Sequence, residues 1–319
     1  MGFYLPARRL ILGCVTPLNC ICEKKGVPMR VLAVFILLII YFPGNAWTAV
    51  NDRRVVTWNL QGSSASTESK WNSNIRTVLL GNRDDGPIPV SRHIDVMMIQ
   101  EAGTLPASIT TNPPLPLEGR LVNPDLVVAP INEYVWNLGT SRRPIDYYVY
   151  FSRVDTGANR VNLAILSKEK ADQVILLRPR AWSGARPILG IRLGSDYYFG
   201  IHALANGGTD SGAIVARVWE YFNQNQISDQ WLIAGDFNRE PNQLRDLLRR
   251  SYPQEYRNVT FQYEDRPTHR TSGHNLDYGI AGQLNNPSGG PNFDCSLFTP
   301  SLIGQLVSDH SPVLLWPKK

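Results

Sequence analysis

The chain has 319 residues, 43% hydrophobic and 18% charged, an ordinary globular composition with enough apolar residues for a sizeable core. Its formal charge of +5 points to nucleic acid only until it is located: residues 1–49 hold five basic residues against the single acid Glu23, leaving 27 basic and 26 acidic residues beyond them. A body so near neutrality excludes a global polyanion-binding surface, so any phosphate-binding face must be local.

In chain order, the first readable segment is "MRVLAVFILLIIYFPGNAWTA". Arg30 makes a short basic region, Val31 to Phe42 form an apolar run, and Gly44-Asn45-Ala46 or Trp47-Thr48-Ala49 offers a cleavage site. This is secretory signal architecture, and the run is short for a bilayer span, so a signal anchor is the weaker reading. Residues 1–49 are therefore expected to be a leader, with translation starting at Met29, and the mature chain is expected to be secreted without stable membrane insertion. Cys14, Cys20 and Cys22 all precede Met29. Cys295 is left alone, expected as a buried free thiol, and the fold must rest on its core rather than on a disulfide. Asn258-Val259-Thr260 is a glycosylation sequon.

Beyond residue 50, nine runs rich in β-branched and aromatic residues read as strands: "RRVVTWNL", "IDVMMIQE", "YYVYFS", "NLAILS", "ILGIRL", "YYFGIHAL", "QWLIAGDFN", "LDYGIAG" and "SPVLLW". Helical spacing covers residues 69–80, 211–224 and 242–250. The first carries Trp71, Ile75, Val78 and Leu79 on one face, with Glu68 near its amino end. Prolines mark 112–132 as an irregular loop, and a Gly/Pro/Asn cluster does the same for 285–294. No repeat or composition break divides residues 50–319. Many strands with a few dispersed helices predict one domain of two packed sheets flanked by helices, an α/β sandwich.

Several strands end alike. "VVTWN" ends at Asn59, "VMMIQ" at Glu101, "YYFGI" at His202, and "WLIAG" at Asp236 followed by Asn238; Asp277 opens one strand and Asp309-His310 open the last. Singly, each has a bland reading: turn residue, solvated strand end, satisfied core histidine or Asx turn. Jointly they hold the set that metal-assisted phosphoester cleavage requires. A phosphodiester needs a charge-neutralising cation, an activated water and a proton for the departing oxygen. Magnesium prefers oxygen ligands and is content with one or two carboxylates. Histidine supplies the proton or the phosphate contact. One mature cysteine and five histidines in the whole chain argue against structural zinc.

"WNLQGSS", "QEAG", "YVWNLGTSRRP", "GANRVNLAILS", "HALANGGTD", "GDFNREP", "PTHR", "LDY" and "SDHSPV" together resemble the B subunits of cytolethal distending toxins, from about residue 53 to 316. More widely, the chain resembles the endonuclease/exonuclease/phosphatase superfamily. The resemblance implies a four-layer α/β sandwich that cleaves DNA phosphodiesters with Mg2+. It implies Glu101 as principal magnesium ligand, assisted by Asn59 and Asp309. Asp236 would orient and help deprotonate the attacking water, and Asn238 would steady the phosphate. His310 would be general acid or phosphate contact with Asp277 holding its ring, and His202 would be the second active-site histidine. Arg142 or Arg143, together with Arg160, would contact phosphate, with hydrogen bonds from Asn162 and Asn206. One departure is visible: digestive deoxyribonucleases pair the histidine matching His202 with a preceding Glu, and "GANRVN" offers no carboxylate. This implies weaker nuclease action or a broader phosphoesterase range. DNA in the nucleus of a target cell is the expected substrate, and cell-surface-binding delivery subunits are the expected partners. A phosphoinositide phosphatase using the same metal site, and an inactive assembly subunit, are the competing readings.

Overall fold

Continuous apolar runs such as Val55-Val56 and Val96 to Ile99 need cover on both faces of a sheet. In the computed structural model they have it. The structure describes residues 50–62, 70–80, 93–122, 130–154, 157–179, 185–286, 290–297 and 308–318. The leader and signal peptide expected over 1–49 lie outside them, as does Glu68.

Among the described residues the strands are, in chain order, β1 (Val55–Asn59), β2 (Val96–Gln100), β3 (Leu121–Val122), β4 (Ile131–Asn137) and β5 (Asp146–Ser152). Then come β6 (Leu163–Ser167), β7 (Gln173–Leu177), β8 (Ile188–Leu193), β9 (Asp196–His202) and β10 (Gln230–Asp236). The chain closes with β11 (Val259–Gln262), β12 (Asp277–Gly282), β13 (Phe293–Leu297) and β14 (Val313–Pro317). They form two mixed seven-stranded sheets, ordered β13-β14-β1-β2-β6-β5-β4 and β11-β12-β10-β9-β8-β7-β3.

Successive residues of a strand point to opposite faces, and this alternation builds the layers. Val55 and Met98 of the first sheet meet Tyr198, Leu232 and Ala234 of the second in a buried cluster between the sheets. Their neighbours Val56, Met97 and Ile99 face outward onto Trp71, Ile75, Val78 and Leu79, from a π-helical turn (Lys70–Ile75) running into an α-helix (Arg76–Leu80). On the far side, Phe199, Ile201 and Ile233 pack against Ile214, Val218 and Phe222 of the helix Ser211–Gln224 and Leu244 and Leu248 of the helix Pro241–Ser251. Three apolar interfaces between four layers give the α/β sandwich. Each fully buried Leu, Ile or Phe contributes roughly 1.5–3 kcal/mol, so a polar residue within these runs is costly and one at their ends is not.

The ends are set by register. Asp236 closes β10 directly opposite His202 of β9 on one side and Asp277 of β12 on the other. Asn59 lies opposite Gln100, one residue before Glu101. Gly235 is required here: a Cβ would sit 2.0 Å from the Ile201 carbonyl oxygen.

Four expectations are corrected. The loop expected over 112–132 contains β3 and ends at the start of β4, and the cluster 285–294 runs into β13. The last strand begins at Val313, so Asp309 and His310 precede it on a connecting segment. Cys295 as a residue is half-buried rather than buried, and burial of its thiol, with the neighbouring Glu264, pushes it up to about 12. Asn258 is engaged on both sides of its amide, donating to the Gln254 carbonyl oxygen and accepting from the Asn285 N–H.

Candidate active site

The carboxyl ends of β1, β2, β9 and β10 and the start of β12 deliver their polar residues to one edge of the sandwich. Asp236 is fully buried and held by three donors. The Asn238 backbone N–H reaches Oδ1 at 2.8 Å, and the amides of Asn59 and Asn238 reach Oδ2 at 3.0 and 3.2 Å. His202 Nε2 lies 3.6 Å from the same Oδ2 and 3.8 Å from Glu101 Oε1. His310 Nε2 approaches it from the other side at 3.8 Å, while His310 Nδ1 meets Asp277 Oδ2 at 2.7 Å. Asn59 also hydrogen-bonds Glu101. Two histidines, two amides and three carboxylates thus form one connected cluster.

The backbone is bent to make it. Gln61, Glu101 and Asn238 all adopt left-handed φ, at 50°, 47° and 47°. Such conformations cost of order 1 kcal/mol or more for non-glycine residues and persist where surrounding bonds over-determine them. The restraints are visible: Gly62 N–H bonds the Glu101 carbonyl, Ala102 N–H bonds the Asn162 carbonyl, and the buried Asn162 amide bonds the Gly103 carbonyl. Asn162 therefore anchors the turn that carries Glu101.

Electrostatics separate the groups. Burial, reinforced by the neighbouring Asp277, pushes the Asp236 carboxyl up to about 7, against the pull of His310 and of its own hydrogen bonds. His310 goes the other way. Burial alone would depress it, but Asp277, with Asp236 and Asp309, outweighs this and holds it up at about 9. Burial, with Arg186 and His310 adding repulsion, drives His202 well below its ordinary value. Burial raises Glu101 against the pull of Arg160, Asn59, His310 and Arg186.

Asp309 sits at the rim. Its Oδ2 accepts from Gln61 Nε2 at 3.1 Å and faces His269 Nε2 at 3.3 Å, while its Oδ1 lies 3.8 Å from His310 Nε2. Among the described residues two groups each bring their possible ligand atoms within 4.8 Å of one another, Asp236 with Asp277 and His310, and His269 with Asp309 and His310; Glu101 belongs to neither. Of the remaining expected residues, Arg160 faces Glu101 electrostatically. Asn206 is exposed on the loop after β9 and accepts from the Thr209 hydroxyl.

The structure does not bring Arg142 and Arg143 to the site. They lie exposed on the turn between β4 and β5. Asn59 and Glu101 lie where β6 begins, since Ile99 pairs with Ala164, but Tyr148 near the start of β5 pairs with Ser167 at the end of β6. Tyr147 Oη accordingly bonds the Ile94 carbonyl, ahead of β2. That turn is at the opposite end of the sheet.

Four residues were missed by sequence reasoning. Arg186 donates to the Ala203 carbonyl at 3.1 Å and feels Glu101, Asp210 and Asp236. Lys70 donates to the Leu60 and Gln61 carbonyls beside Glu101 and Asp309. Gln61 and His269 flank Asp309. None ends an apolar run, so no strand-end signal marks them; His269 stands in the quoted "PTHR", which drew no role.

Residues 56–300 match the model of the Endonuclease/Exonuclease/phosphatase family. The chain is 40% identical over 288 residues to a homolog of the cytolethal distending toxin B subunit from Salmonella typhi, covering 87% of this chain and 94% of that protein. Family membership is thereby decided. The chain belongs to the endonuclease/exonuclease/phosphatase family, in the branch of the cytolethal distending toxin B subunits. It is also 37% identical over 284 residues to the B subunit of the Escherichia coli cytolethal distending toxin, covering 87% and 96% of the two chains. The crystal structure of the Haemophilus ducreyi cytolethal distending toxin matches with a TM-score of 0.73 and 39% identity, over 85% of this chain and 100% of that one. Family and fold make the chain a phosphodiester hydrolase of the nuclease/phosphatase type.

Members of this family depend on divalent metal ions, and the described residues gather candidate ligand atoms in two clusters, Asp236 with Asp277 and His310, and His269 with Asp309 and His310. Glu101, Asn59 and Asp309 present hard oxygen atoms, the kind magnesium selects, with few enough protein ligands to leave room for water. A cation would also favour the ionised form of Glu101, which burial now opposes.

Proposed function

We propose that this chain is a secreted toxin subunit that hydrolyses DNA phosphodiester bonds inside a target cell, using Mg2+. The observation that carries the reading is the pairing of oppositely shifted groups at one edge. Asp236 is poised to be a base near 7 and His310 to remain an acid up to about 9, their reactive atoms 3.8 Å apart. Environments that push two titratable groups apart are how acid and base roles are assigned within one site.

In this reading Glu101, Asn59 and Asp309 hold the magnesium ion, which when bound neutralises phosphate charge. Asp236, fixed by Asn59 and Asn238, orients a water and accepts its proton as oxygen attacks phosphorus. The bond to the departing oxygen breaks, and His310, held by Asp277, returns a proton to it. His202 stays neutral through the physiological range and offers a hydrogen bond to phosphate oxygen. Arg160 and Arg186 supply local positive charge where the body as a whole has almost no net charge, and Asn162 positions Glu101. Delivery to a cell falls to separate cell-surface-binding subunits, in keeping with the relatives' description as toxin subunits. No described helix is long and apolar enough to cross a membrane.

One observation favours a second substrate. Among the described residues His202 Nδ1 is buried without a hydrogen-bond partner, so none of them takes the place of the carboxylate that supports this histidine in digestive deoxyribonucleases. A phosphoinositide phosphatase is the alternative. Plasmid nicking and inorganic phosphate release from a phosphoinositide, measured on one preparation with Mg2+ and repeated with His202→Ala, distinguish them. The nuclease reading predicts nicking that exceeds phosphate release at equal enzyme and is lost in the variant; phosphate release without nicking would overturn it. An inactive assembly subunit would retain full toxicity as Glu101→Gln.

A further inference from the structure

Thr268, His269 and Arg270 run alongside residues 308–311 and bond to them repeatedly. The Ser311 N–H donates to the Thr268 carbonyl, the Arg270 N–H donates to the Asp309 carbonyl, and the Arg270 guanidinium bonds the Ser308 carbonyl. The His269 ring stands edge-on to that of His310, with centroids 4.6 Å apart. A tripeptide of the connection between β11 and β12 thus grips the segment that carries Asp309 and His310.

The tautomer of His269 follows from its neighbours. The Ser272 backbone N–H donates to His269 Nδ1 at 3.1 Å, and the Ser272 hydroxyl lies 2.6 Å from the same atom. A backbone N–H can only donate, so Nδ1 is the accepting nitrogen and the ring proton of neutral His269 resides on Nε2. Nε2 faces Asp309 Oδ2 at 3.3 Å. His269 is therefore a hydrogen-bond donor to Asp309 and not a cation ligand, although its ring lies close enough to be counted as one. Gln61 donates to the same oxygen. Two donors converge on Oδ2, and Oδ1 is left to face the site beside His310 Nε2.

We propose that His269 is a positioning residue for the cation site: its Nε2–H, with Gln61, fixes the Asp309 carboxylate so that Oδ1 is presented to the divalent ion. The inference rests on the metal site of the proposed function and deepens it. Outer partners of ligating carboxylates typically change metal affinity by roughly 10- to 100-fold when removed.

Two substitutions separate hydrogen bonding from packing. His269→Phe keeps a ring against His310 and loses the donor; His269→Gln keeps an N–H near the Nε2 position and loses the ring. Binding of Mn2+ alone to the full chain, followed by electron paramagnetic resonance, reads the site without turnover, and melting curves confirm folding. The expected result is Mn2+ binding weakened about tenfold or more in His269→Phe and kept within about threefold of wild type in His269→Gln. Wild-type affinity in a folded His269→Phe, or weakening in His269→Gln alone, would overturn the inference while leaving the metal site standing. No saturable Mn2+ binding by the wild-type chain would overturn the metal site beneath it as well.

Discussion

Asp277 Oδ2 lies 2.7 Å from His310 Nδ1, joining the first residue of β12 to the segment that precedes β14. The Thr268 hydroxyl accepts the N–H groups of Leu276 and Asp277, while Trp58 Nε1 donates to the His310 carbonyl. The pair joins residues 33 apart in sequence and aims His310 Nε2 at Asp236.

Removing the carboxylate should therefore alter pH dependence before it alters the fold. Asp277 is the strongest of the influences that raise His310 to about 9, so Asp277→Asn should move the alkaline limb of kcat/KM toward lower pH by a unit or more. In wild type, activity should climb as Asp236 ionises through about 7 and fall as His310 loses its proton through about 9. The two limbs belong to the coupled cluster rather than to either residue alone. An unchanged alkaline limb in Asp277→Asn would count against the pairing as the source of the shift.

Proton linkage extends this to stability. Folding raises Asp236 from 3.8 to about 7, so its contribution declines as pH climbs through that window. Folding raises His310 from 6.5 to about 9, so the stability it adds is complete below 6.5 and gone above about 9. Both losses run the same way. Below pH 6.5 the depressed His202 runs the opposite way, so it is from pH 7 to pH 9 that the EDTA-treated chain should melt at progressively lower temperature, and Mg2+ should restore more at pH 8 than at pH 6. Differential scanning calorimetry with and without Mg2+ across this range checks it; an equal Mg2+ effect at pH 6 and pH 8 would contradict it.

His202 and His310 should differ in charge at neutrality despite sharing one site. Burial, Arg186 and His310 hold His202 neutral, whereas His310 remains protonated. Nitrogen NMR of the imidazoles should show a neutral His202 throughout pH 6–9 and a His310 that titrates near the upper end. Two histidines titrating together near 6.5 would overturn the assignment.

The arginines divide by position. Arg160, beside Glu101, should cost about tenfold or more in kcat/KM on replacement by Ala, in line with the loss of a charge-assisted contact worth about 1.5–3 kcal/mol. Arg142 and Arg143, on the far turn between β4 and β5, should leave nicking of a short duplex within about twofold when both become Ala. Steady-state kinetics on one oligonucleotide substrate compares them directly.

How far the sequence could be read follows from where apolar runs are obligatory. The strands it revealed are mostly central ones, covered on both faces. Of the five it missed, β3, β4, β11 and β13 are the four sheet edges, and β7 lies next to one. Edge strands are partly solvated and can carry polar residues, as the half-buried pattern of β4 shows. "INEYVWN" and "FDCSL" therefore look like loop beside prolines and glycines. The site divides likewise. Asn59, Glu101, His202, Asp236 and Asp277 stood out because each ends or opens a run that had to be apolar. Arg186, Gln61 and His269 come from connecting segments and Lys70 from the start of the π-helical turn, positions where polarity is ordinary, and only the register of the sheets brings them in. Arg142 and Arg143 were misplaced because a motif shared with relatives says nothing about which end of a hairpin faces the site.

The central claim, that strand ends from two sheets make one metal-assisted phosphodiesterase, is tested most directly by plasmid nicking with Glu101→Gln. The substitution keeps the side-chain size and removes the charge offered to the cation. The account predicts Mg2+-dependent nicking by the wild-type chain, abolished by EDTA and reduced by about a hundredfold or more in a folded Glu101→Gln, the scale of losing a charge-stabilising group in such a site. Nicking that survives both EDTA and this substitution would contradict it.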